Sequence, residues 1–228
     1  MTSEITHLTD CNPSRADIEH ISGQGLPVTI TNSNLEGLDL ANLDLTGWRF
    51  ESCNLKRCSL NGATLEGVCF KGCQSAAASF VGAAMLDATI DGGDFSNTNF
   101  RGATLTDVRI RGCKMTGANL TETRALGLML EEVLLVFAVM PKLSFRKLTL
   151  KQVDFSQSDL RGCDFRDSIF EDCSLRDADL ANCRFENADL RGADLGGVQL
   201  SDALRFKGAV ISKSQAASLL GQLGLRVL

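Results

Sequence analysis

Residues 178–197 read ADLAN CRFEN ADLRG ADLGG, four units of five residues with a large apolar side chain at the centre of each. The same spacing extends outward from this stretch, on every fifth residue from Ile30 to Leu200. Of these 35 centre positions, 33 are Leu, Ile, Met or Phe, and the exceptions are Ser75 and Ala125. A period of five matches neither the roughly 3.6 residues of a helical turn nor the alternation of an ordinary strand, so the chain is built from an internal repeat.

Each unit predicts one straight side and one corner of a coil. The residue two places before a centre is mostly small, and in an extended segment it points inward together with the centre. Of the 21 glycines, 14 lie two places after a centre, and Asn recurs there. These residues tolerate the positive φ that the third position of a type II turn requires. Pro141 occupies the preceding turn position, which favours proline.

The charges favour coils with four sides. Residues that follow every fourth centre alternate in sign: Glu51, Lys71, Asp91, Arg111, Glu131, Lys151, Glu171 and Arg191. Stacked coils lie about 4.8 Å apart, where opposite charges attract. A three-sided coil would instead place Glu51 over Glu66, a pair of like charges. The pattern therefore predicts an all-β solenoid, a quadrilateral β-helix that repeats every twenty residues.

The ends of the chain lack the repeat. We predict an N-terminal extension or cap at 1–27, the repeat domain at 28–204, and a C-terminal helix and tail at 205–228. Within the extension, residues 12–23 suggest a short helix with Asn12 as the N-cap, Pro13 at the first helical position and Gly23 after the end. This helix is expected to cover the open edge of the first coil.

The C-terminal tail also predicts a helix. Ser212 and Gln215 match a capping box, apolar residues follow at helical spacing, and Gly224 is the expected stop. The tail is too apolar for a free end, so it lies on the last coil, pairs with a second copy of the chain, or both. The residues assigned to a homodimer interface are Leu219, Leu220, Leu223 and Leu225.

Several function classes are disfavoured by the composition. Seven of the nine cysteines occupy the small inward position, which predicts buried structural thiols in place of disulfides or zinc ligands. Both histidines precede the repeat, and no catalytic or nucleotide-binding motif occurs. We therefore expect no enzymatic activity, no cofactor and no metal. The chain has no membrane-length apolar run and no export signal, which predicts a cytoplasmic protein without membrane contact.

Charge is distributed unevenly along the repeat. Residues 101–153 hold nine basic and four acidic side chains, whereas residues 154–194 hold five basic and eleven acidic ones. An acidic surface of this kind can offer a phosphate-like field to a protein that normally binds nucleic acid. The candidate residues for such a partner-binding surface are Asp164, Asp167, Glu171, Asp172 and Glu186.

An apolar segment at residues 126–140 supports an alternative function. Its centre positions keep the five-residue spacing. However, four apolar residues fall on outward positions, namely Leu134, Val136, Phe137 and Val139. Exposed apolar side chains indicate a partner or a covering segment. The segment is thus a contact for another protein partner of a structural or interaction rod, a docking place for the N-terminal extension, or a local bulge. Val136 and Phe137 are the candidate contacts.

The units resemble the pentapeptide-repeat proteins, whose repeat is A-(D/N)-L-x-x. Residues 118–122, 178–182 and 193–197 match it directly. The resemblance implies a right-handed quadrilateral β-helix over roughly residues 28–204. The tail from Gln215 to Leu225 is similar to that of the topoisomerase-protecting Qnr and MfpA groups, in which a C-terminal helix pairs two copies.

That resemblance implies a function as a DNA mimic. The paired proteins of these groups bind DNA gyrase or topoisomerase IV and shield it from a poison, without binding nucleic acid themselves. Gram-negative Qnr members carry loops that interrupt the repeat, whereas the pattern here is unbroken from 28 to 202. The chain is thus more similar to loop-free relatives, for which the expected role is antibiotic resistance or self-protection against a gyrase-targeting natural product.

Overall fold

The computed structural model describes residues 6–199 and 204–227. The repeat region is a parallel β-solenoid of about nine turns, accompanied by two helices, α1 (Arg15–Ser22) and α2 (Lys213–Gly221). Its residues form two compact units, Met1–Met129 and Leu130–Leu228. Each coil has four sides with one centre residue on each. We number the sides one to four after the first coil, in which their centres are Ile30, Leu35, Leu40 and Leu45. Residues twenty apart in the repeat therefore share a side. Leu200, the last centre position, lies outside the described residues.

The first unit stacks six strands in chain order, each parallel to the next. They are β1 (Thr6–Thr9), β2 (Val28–Thr31), β3 (Arg49–Glu51), β4 (Cys69–Gln74), β5 (Thr89–Asp94) and β6 (Arg109–Lys114). The other three sides carry isolated parallel bridges, such as Asp39 to Ser59 and Asp44 to Thr64. Every partner within the repeat lies twenty residues away, as the four-sided coil requires. The predicted charge register is confirmed, with Lys71 beside both Glu51 and Asp91.

The second unit repeats this arrangement. Its strands are β7 (Met129–Leu134), β8 (Thr149–Asp154), β9 (Ile169–Glu171), β10 (Cys173–Ser174) and β11 (Ala193–Asp194). β8 pairs in parallel with β7, β9 and β10, and β10 pairs with β11. The charge ladder continues here, because Lys151 Nζ lies 3.6 Å from Glu131 Oε1. Val133 stays in register with Val153, so β7 contains no bulge.

The core consists of the centre side chains and the small inward residues. Phe50 stacks on Phe70 with ring centroids 5.2 Å apart, and Phe80 stacks on Phe100 at 4.8 Å. In the second unit the rings form a longer stack on side four, through Phe145, Phe165, Phe185 and Phe206. Ser75, an exception in the sequence pattern, is also fully buried. The alternation of inward and outward residues in short extended segments thus produces a continuous apolar interior.

Corners form where the sequence predicted them. Gly37 and Gly62 have positive φ, as do Asn42 and Asn97 at equivalent positions. Gly93 is different because it lies on an inward position with φ 104°, and a Cβ there would come within 2.2 Å of the Cys73 carbonyl oxygen. Phe137 is a bulky corner residue with φ 58°, a conformation that costs an L-residue about 1–2 kcal/mol.

Helix α1 covers the first coil, but it begins later than predicted. Ser14, not Asn12, is the N-cap, and Ser14 forms a capping box with Asp17. A capping box needs an acceptor side chain three residues after the N-cap. Asp17 provides it for Ser14, whereas the residue three places after Asn12 is Arg15, which cannot accept. Ile18 of α1 is fully buried, and the Arg15 guanidinium donates to the carbonyl oxygens of Asp39 and Ala41. Strand β1, which precedes the helix, was not predicted.

Helix α2 covers the last coil in a similar way. The predicted capping box of Ser212 and Gln215 is present, but the helix ends at Gly221 with Gln222 as its C-cap, before Gly224. Gln215 Nε2 donates to the carbonyl oxygens of Leu190 and Ala193, at 2.7 and 2.6 Å. At the C-terminal end, stacked residues lie 21 positions apart along the chain and not twenty. Phe206 stacks on Phe185, and Val210 pairs with Asp189.

Candidate functional site

The acidic residues predicted to bind a partner lie on two sides of the second unit. Asp164, Asp167 and Glu186 belong to side four, where they flank the centres Phe165 and Phe185. Glu171 and Asp172 belong to side one, where they follow the centre Phe170. The two groups have different electrostatic environments.

On side four each predicted carboxylate is paired with an arginine. Asp164 accepts hydrogen bonds from Arg166, with 2.8 Å between Nε and Oδ1. Arg146 Nε lies 3.3 Å from Asp167 Oδ2, and Arg184 lies 3.6 Å from Glu186. The bond from Arg166 holds the pKa of Asp164 below its usual value. The pKa of Asp167 is likewise lowered, first by a hydrogen bond from Asn187 and then by Arg146.

On side one the two predicted carboxylates are exposed to solvent. Glu171 and Asp172 are exposed, and among the described residues neither forms an ion pair within 4.0 Å. They line a shallow groove together with Ile169, whose side chain is 44% exposed, and Arg191. Arg191 itself is held by Asp189 at 2.6 Å. Among the predicted acidic residues, Glu171 and Asp172 are therefore the two that form no ion pair within 4.0 Å in the described part of the chain, although Glu171 lies beside Lys151 in the charge ladder.

Sequence reasoning missed the local role of the aspartates before each centre. Asp159, Asp164 and Asp189 each accept a hydrogen bond from the backbone N–H two residues later, which forms an Asx-turn. In each case that later residue is an arginine whose guanidinium also binds the same carboxylate. The Asp-x-Arg spacing was the available signal. These aspartates stabilise the coil, and their charge is largely neutralised.

The apolar side chains of the second unit present a different surface. Leu134, Phe137 and Val139 are 47%, 56% and 36% exposed. Val136, which the sequence also placed outward, is only half-buried. Helix α1 packs on the first coil through Ile18 and Arg15.

The predicted dimer residues lie in α2 and the tail after it. Leu220, Leu223 and Leu225 are 36%, 61% and 54% exposed, whereas Leu219 is partly buried. Leu219 lines a cavity of about 330 Å³ between α2 and the last coil, with Arg176 and Gln222 also in its wall. Gln222 Nε2 donates to the Val198 carbonyl at 2.8 Å, which holds the end of the helix to the coil.

Most of the inward thiols are buried and protonated, whereas a hydrogen bond with Cys73 lowers the pKa of Cys53 to about 7. All nine cysteines are free, and the seven on inward positions are buried. Burial raises the pKa of Cys58, Cys173 and Cys183 to about 11 in each case, which keeps these thiols protonated. Within residues 6–199 and 204–227, no three His, Cys, Asp or Glu side chains converge as a metal site. In the same part of the chain, neither helix is long and apolar enough to cross a bilayer.

Comparison with solved structures supports this fold through a match with a TM-score of 0.60. A trypsin-treated variant of QnrB1, described as a plasmid-mediated fluoroquinolone resistance protein, matches over 99% of this chain and all of its own, at 21% identity and a TM-score of 0.60. HetL from Nostoc sp. strain PCC 7120, a pentapeptide-repeat protein involved in heterocyst differentiation regulation, matches over 86% of this chain and 94% of its own, at 22% identity and a TM-score of 0.45. No curated protein sequence matches the chain.

The family is established by the sequence repeat. The model of the family described as pentapeptide repeats matches residues 33–72, 85–122, 130–167 and 168–204, in eight copies. These segments cover well over half of the chain and coincide with the coils. The observed fold and the match together show that the chain belongs to the pentapeptide-repeat family.

Proposed function

We propose that this protein is a DNA mimic that binds a type II topoisomerase, DNA gyrase or topoisomerase IV, and protects it from a poison. The observation that carries the proposal is the exposed pair of carboxylates, Glu171 and Asp172, which form no ion pair within 4.0 Å among the described residues. A DNA-binding protein presents Lys and Arg to phosphates, and exposed carboxylates without ion-pair partners can occupy the same positions. The description of QnrB1 as a resistance protein supports this choice of partner.

Under this proposal the protein acts by occupancy, not by catalysis. It would compete for the DNA-binding surface of the topoisomerase in the cytoplasm, without itself binding nucleic acid. Self-association through α2 and the tail is part of the proposal, because Leu220, Leu223 and Leu225 expose apolar surface that a second copy would cover. Asp164, Asp167 and Glu186 are assigned a smaller share of the binding, since each already has an arginine partner.

A gyrase supercoiling assay tests the proposal. Purified protein is added to gyrase, and separately to topoisomerase IV, with a fluoroquinolone or a natural-product poison present. We expect relief of the poison or a direct change in supercoiling, and we expect this response to weaken with added salt. No effect on either enzyme with any poison would refute the proposal.

A matched pair of variants locates the surface. Glu171→Gln with Asp172→Asn removes the open carboxylates and should weaken the response at least about tenfold, since each charge near an oppositely charged surface contributes on the order of 1 kcal/mol. Glu66→Gln with Asp87→Asn removes an equal charge from the same positions of the five-residue unit, on side four of the first unit. An equal loss in both double variants would show a non-specific charge effect and would contradict the assignment to side one.

A second candidate function is an interaction protein that contacts another partner through Val136 and Phe137. The exposed Phe137 ring is the observation in its favour, because an aromatic side chain exposed at a corner position, where Gly, Asn and Asp recur, indicates contact with a partner. Phe137→Asn with Val136→Ser should abolish capture of an identified partner in a pull-down while the circular dichroism spectrum stays unchanged. Unchanged capture would count against this alternative.

A further inference from the structure

A chemically labile pair of residues lies on side three of the first unit. Of the eleven asparagines, only Asn61 is followed by glycine. The backbone nitrogen of a glycine in this place can attack the asparagine side-chain carbonyl with little hindrance, because glycine has no Cβ. Asn61 follows the centre Leu60, and Gly62 forms the corner with φ 62–64° replaced by its single value of 64°. The reacting atoms of a deamidation are therefore neighbours at one corner of the solenoid.

The next coil binds both reacting groups. Ser79 Oγ donates a hydrogen bond to Asn61 Oδ1 at 2.6 Å, and Val81 N donates to the same oxygen at 3.0 Å. In the opposite sense, Gly62 N donates to the Val81 carbonyl at 2.9 Å. The next coil thus holds the oxygen of the electrophile and the nitrogen of the nucleophile at the same time.

These bonds oppose the reaction. Attack requires the Gly62 nitrogen to lose its proton, and the backbone carbonyl that accepts this N–H group cannot take the proton away. Ring closure also brings Asn61 Cγ within bonding distance of that nitrogen, and this movement draws Oδ1 away from Ser79 and Val81. Cyclisation therefore needs a local opening between two coils, a state that is sparsely populated in a folded protein.

We propose that Asn61–Gly62 is a deamidation site that Ser79 and Val81 keep unreactive while the two coils remain paired. In the reaction a bond forms between Gly62 N and Asn61 Cγ, and the side-chain nitrogen leaves as ammonia together with the proton from Gly62 N. One water molecule then opens the cyclic imide at either carbonyl, which leaves an aspartate or an isoaspartate. The reaction consumes only water, and the proposal is independent of the topoisomerase function.

Isoaspartate is the product that would disturb the fold. It routes the main chain through the former side chain, which adds one carbon. It also converts the Asn61 carbonyl, which accepts from Asn42 N at 2.9 Å, into a carboxylate. The twenty-residue register with both neighbouring coils is then lost at this corner. We expect the modified protein to unfold at a lower urea concentration than the unmodified protein.

A time course of peptide mapping tests the site in the full chain at mildly alkaline pH. Mass spectrometry follows the conversion of each asparagine. We expect Asn61 to react fastest of all asparagines in urea, and at least about tenfold more slowly in the folded protein. Ser79→Ala should raise the folded-state rate about three- to tenfold, as expected for one lost hydrogen bond.

The matched control is Ser59→Ala, which removes a hydroxyl from the equivalent position one coil earlier. Among the described residues that hydroxyl forms no hydrogen bond, so the rate at Asn61 should not change. Urea unfolding of both serine variants separates local release of Asn61 from a global loss of stability. The proposal requires a larger rise in the rate for Ser79→Ala than its change in the unfolding constant explains.

A further variant confirms the chemistry. Asn61→Gln should remove the modification, because the longer side chain closes a larger ring far more slowly. Equal rates in folded and unfolded chains, or in Ser79→Ala and the wild type, would overturn the protective role of the next coil. An unreactive Asn61 in urea would overturn the site itself.

Discussion

In the first unit, Asp fills three of the 21 positions that precede a centre, whereas in the second unit it fills six of 14. The first unit uses Asn, Ser and Thr in the same place, as in the contact from Asn54 to Asn34 at 2.9 Å. In the second unit these aspartates accept hydrogen bonds from arginine side chains, as Asp159 does from Arg161. The two units therefore form the same backbone coil with different side-chain bonding.

This difference shows that acidic composition does not equal a negative surface. Residues 154–194 are strongly acidic in sequence, but Asp159, Asp164 and Asp189 are each bound to an arginine two residues later. Only carboxylates such as Glu171 and Asp172 remain open. Under the proposed function, stability and partner binding would therefore depend on separate subsets of the acidic residues.

The aromatic cores of the two units should differ most in stability. Phe165 lies between Phe145 and Phe185 in the long stack, with centroids 5.1 Å from each, whereas Phe80 stacks only on Phe100. We expect Phe165→Ala to lower the free energy of unfolding by about 4–5 kcal/mol and Phe80→Ala by about 3 kcal/mol. Urea unfolding measures both, and equal losses would show that stack length has no energetic effect.

Close coil packing at Gly93 gives the next largest effect. A methyl group there would contact the Cys73 carbonyl oxygen, and φ is 104°. We expect Gly93→Ala to lower the free energy of unfolding by about 2–3 kcal/mol. Gly102→Ala is the control, because its φ is also positive but no atom lies within 4 Å of the added carbon. The control should lose about 1 kcal/mol, and similar losses in both variants would contradict a steric origin.

Two buried serines, one in each unit, differ in the hydrogen bonding of their hydroxyl groups. The Ser75 hydroxyl in the first unit is buried without a hydrogen-bond partner, whereas the Ser168 hydroxyl in the second donates to the Phe165 carbonyl at 2.6 Å. Ser75→Ala should leave the free energy of unfolding unchanged or raise it by up to about 1 kcal/mol, and Ser168→Ala should lower it by about 1 kcal/mol. The opposite order in chemical denaturation would disprove this reading of the two sites.

The Asp–Arg pairs should have the smallest effect, and it should depend on pH. The bond from Arg166 lowers the pKa of Asp164 in the folded state, so the unfolded state binds the proton more readily. The stabilisation is complete above an unfolded pKa of about 4 and disappears as the pH falls through the lower folded value.

Asp164→Asn should therefore lower the free energy of unfolding by up to about 1 kcal/mol at neutral pH, with no difference in strong acid. Asp177→Asn removes an exposed corner carboxylate of the second unit and serves as the control. A loss at Asp164 that persists in strong acid would rule out an electrostatic cause. Denaturant titrations at both pH values provide the measurement.

Much of the fold was predictable because the repeat is local. The centre positions, the glycine corners and the twenty-residue register depend on residues within one coil, and the pairing of Glu51 with Lys71 follows from them. The N-terminal helix was less predictable, because its start at Ser14 depends on the reciprocal bonds with Asp17. Strand β1 has only four residues and follows a different spacing, with Leu8 beside Ile30.

The candidate site was predicted only in part. The sequence placed Asp164 and Glu171 in one acidic group, although they differ in whether an arginine can reach them. Val136 was expected outward, yet it is half-buried while Phe137 beside it is exposed. Such distinctions depend on side-chain conformations and on neighbours one coil away, which a pattern of residue types does not specify.

By itself, the sequence determined that the chain coils around an apolar interior, because large side chains recur every five residues, and the alternating charges at a spacing of twenty favoured four sides. It also determined the buried state of the seven inward cysteines. Only the tertiary structure decided which carboxylates form ion pairs with arginines and where the last coil gains a residue. These properties arise from contacts between coils and caps, where small shifts of one residue change which hydrogen bonds can form.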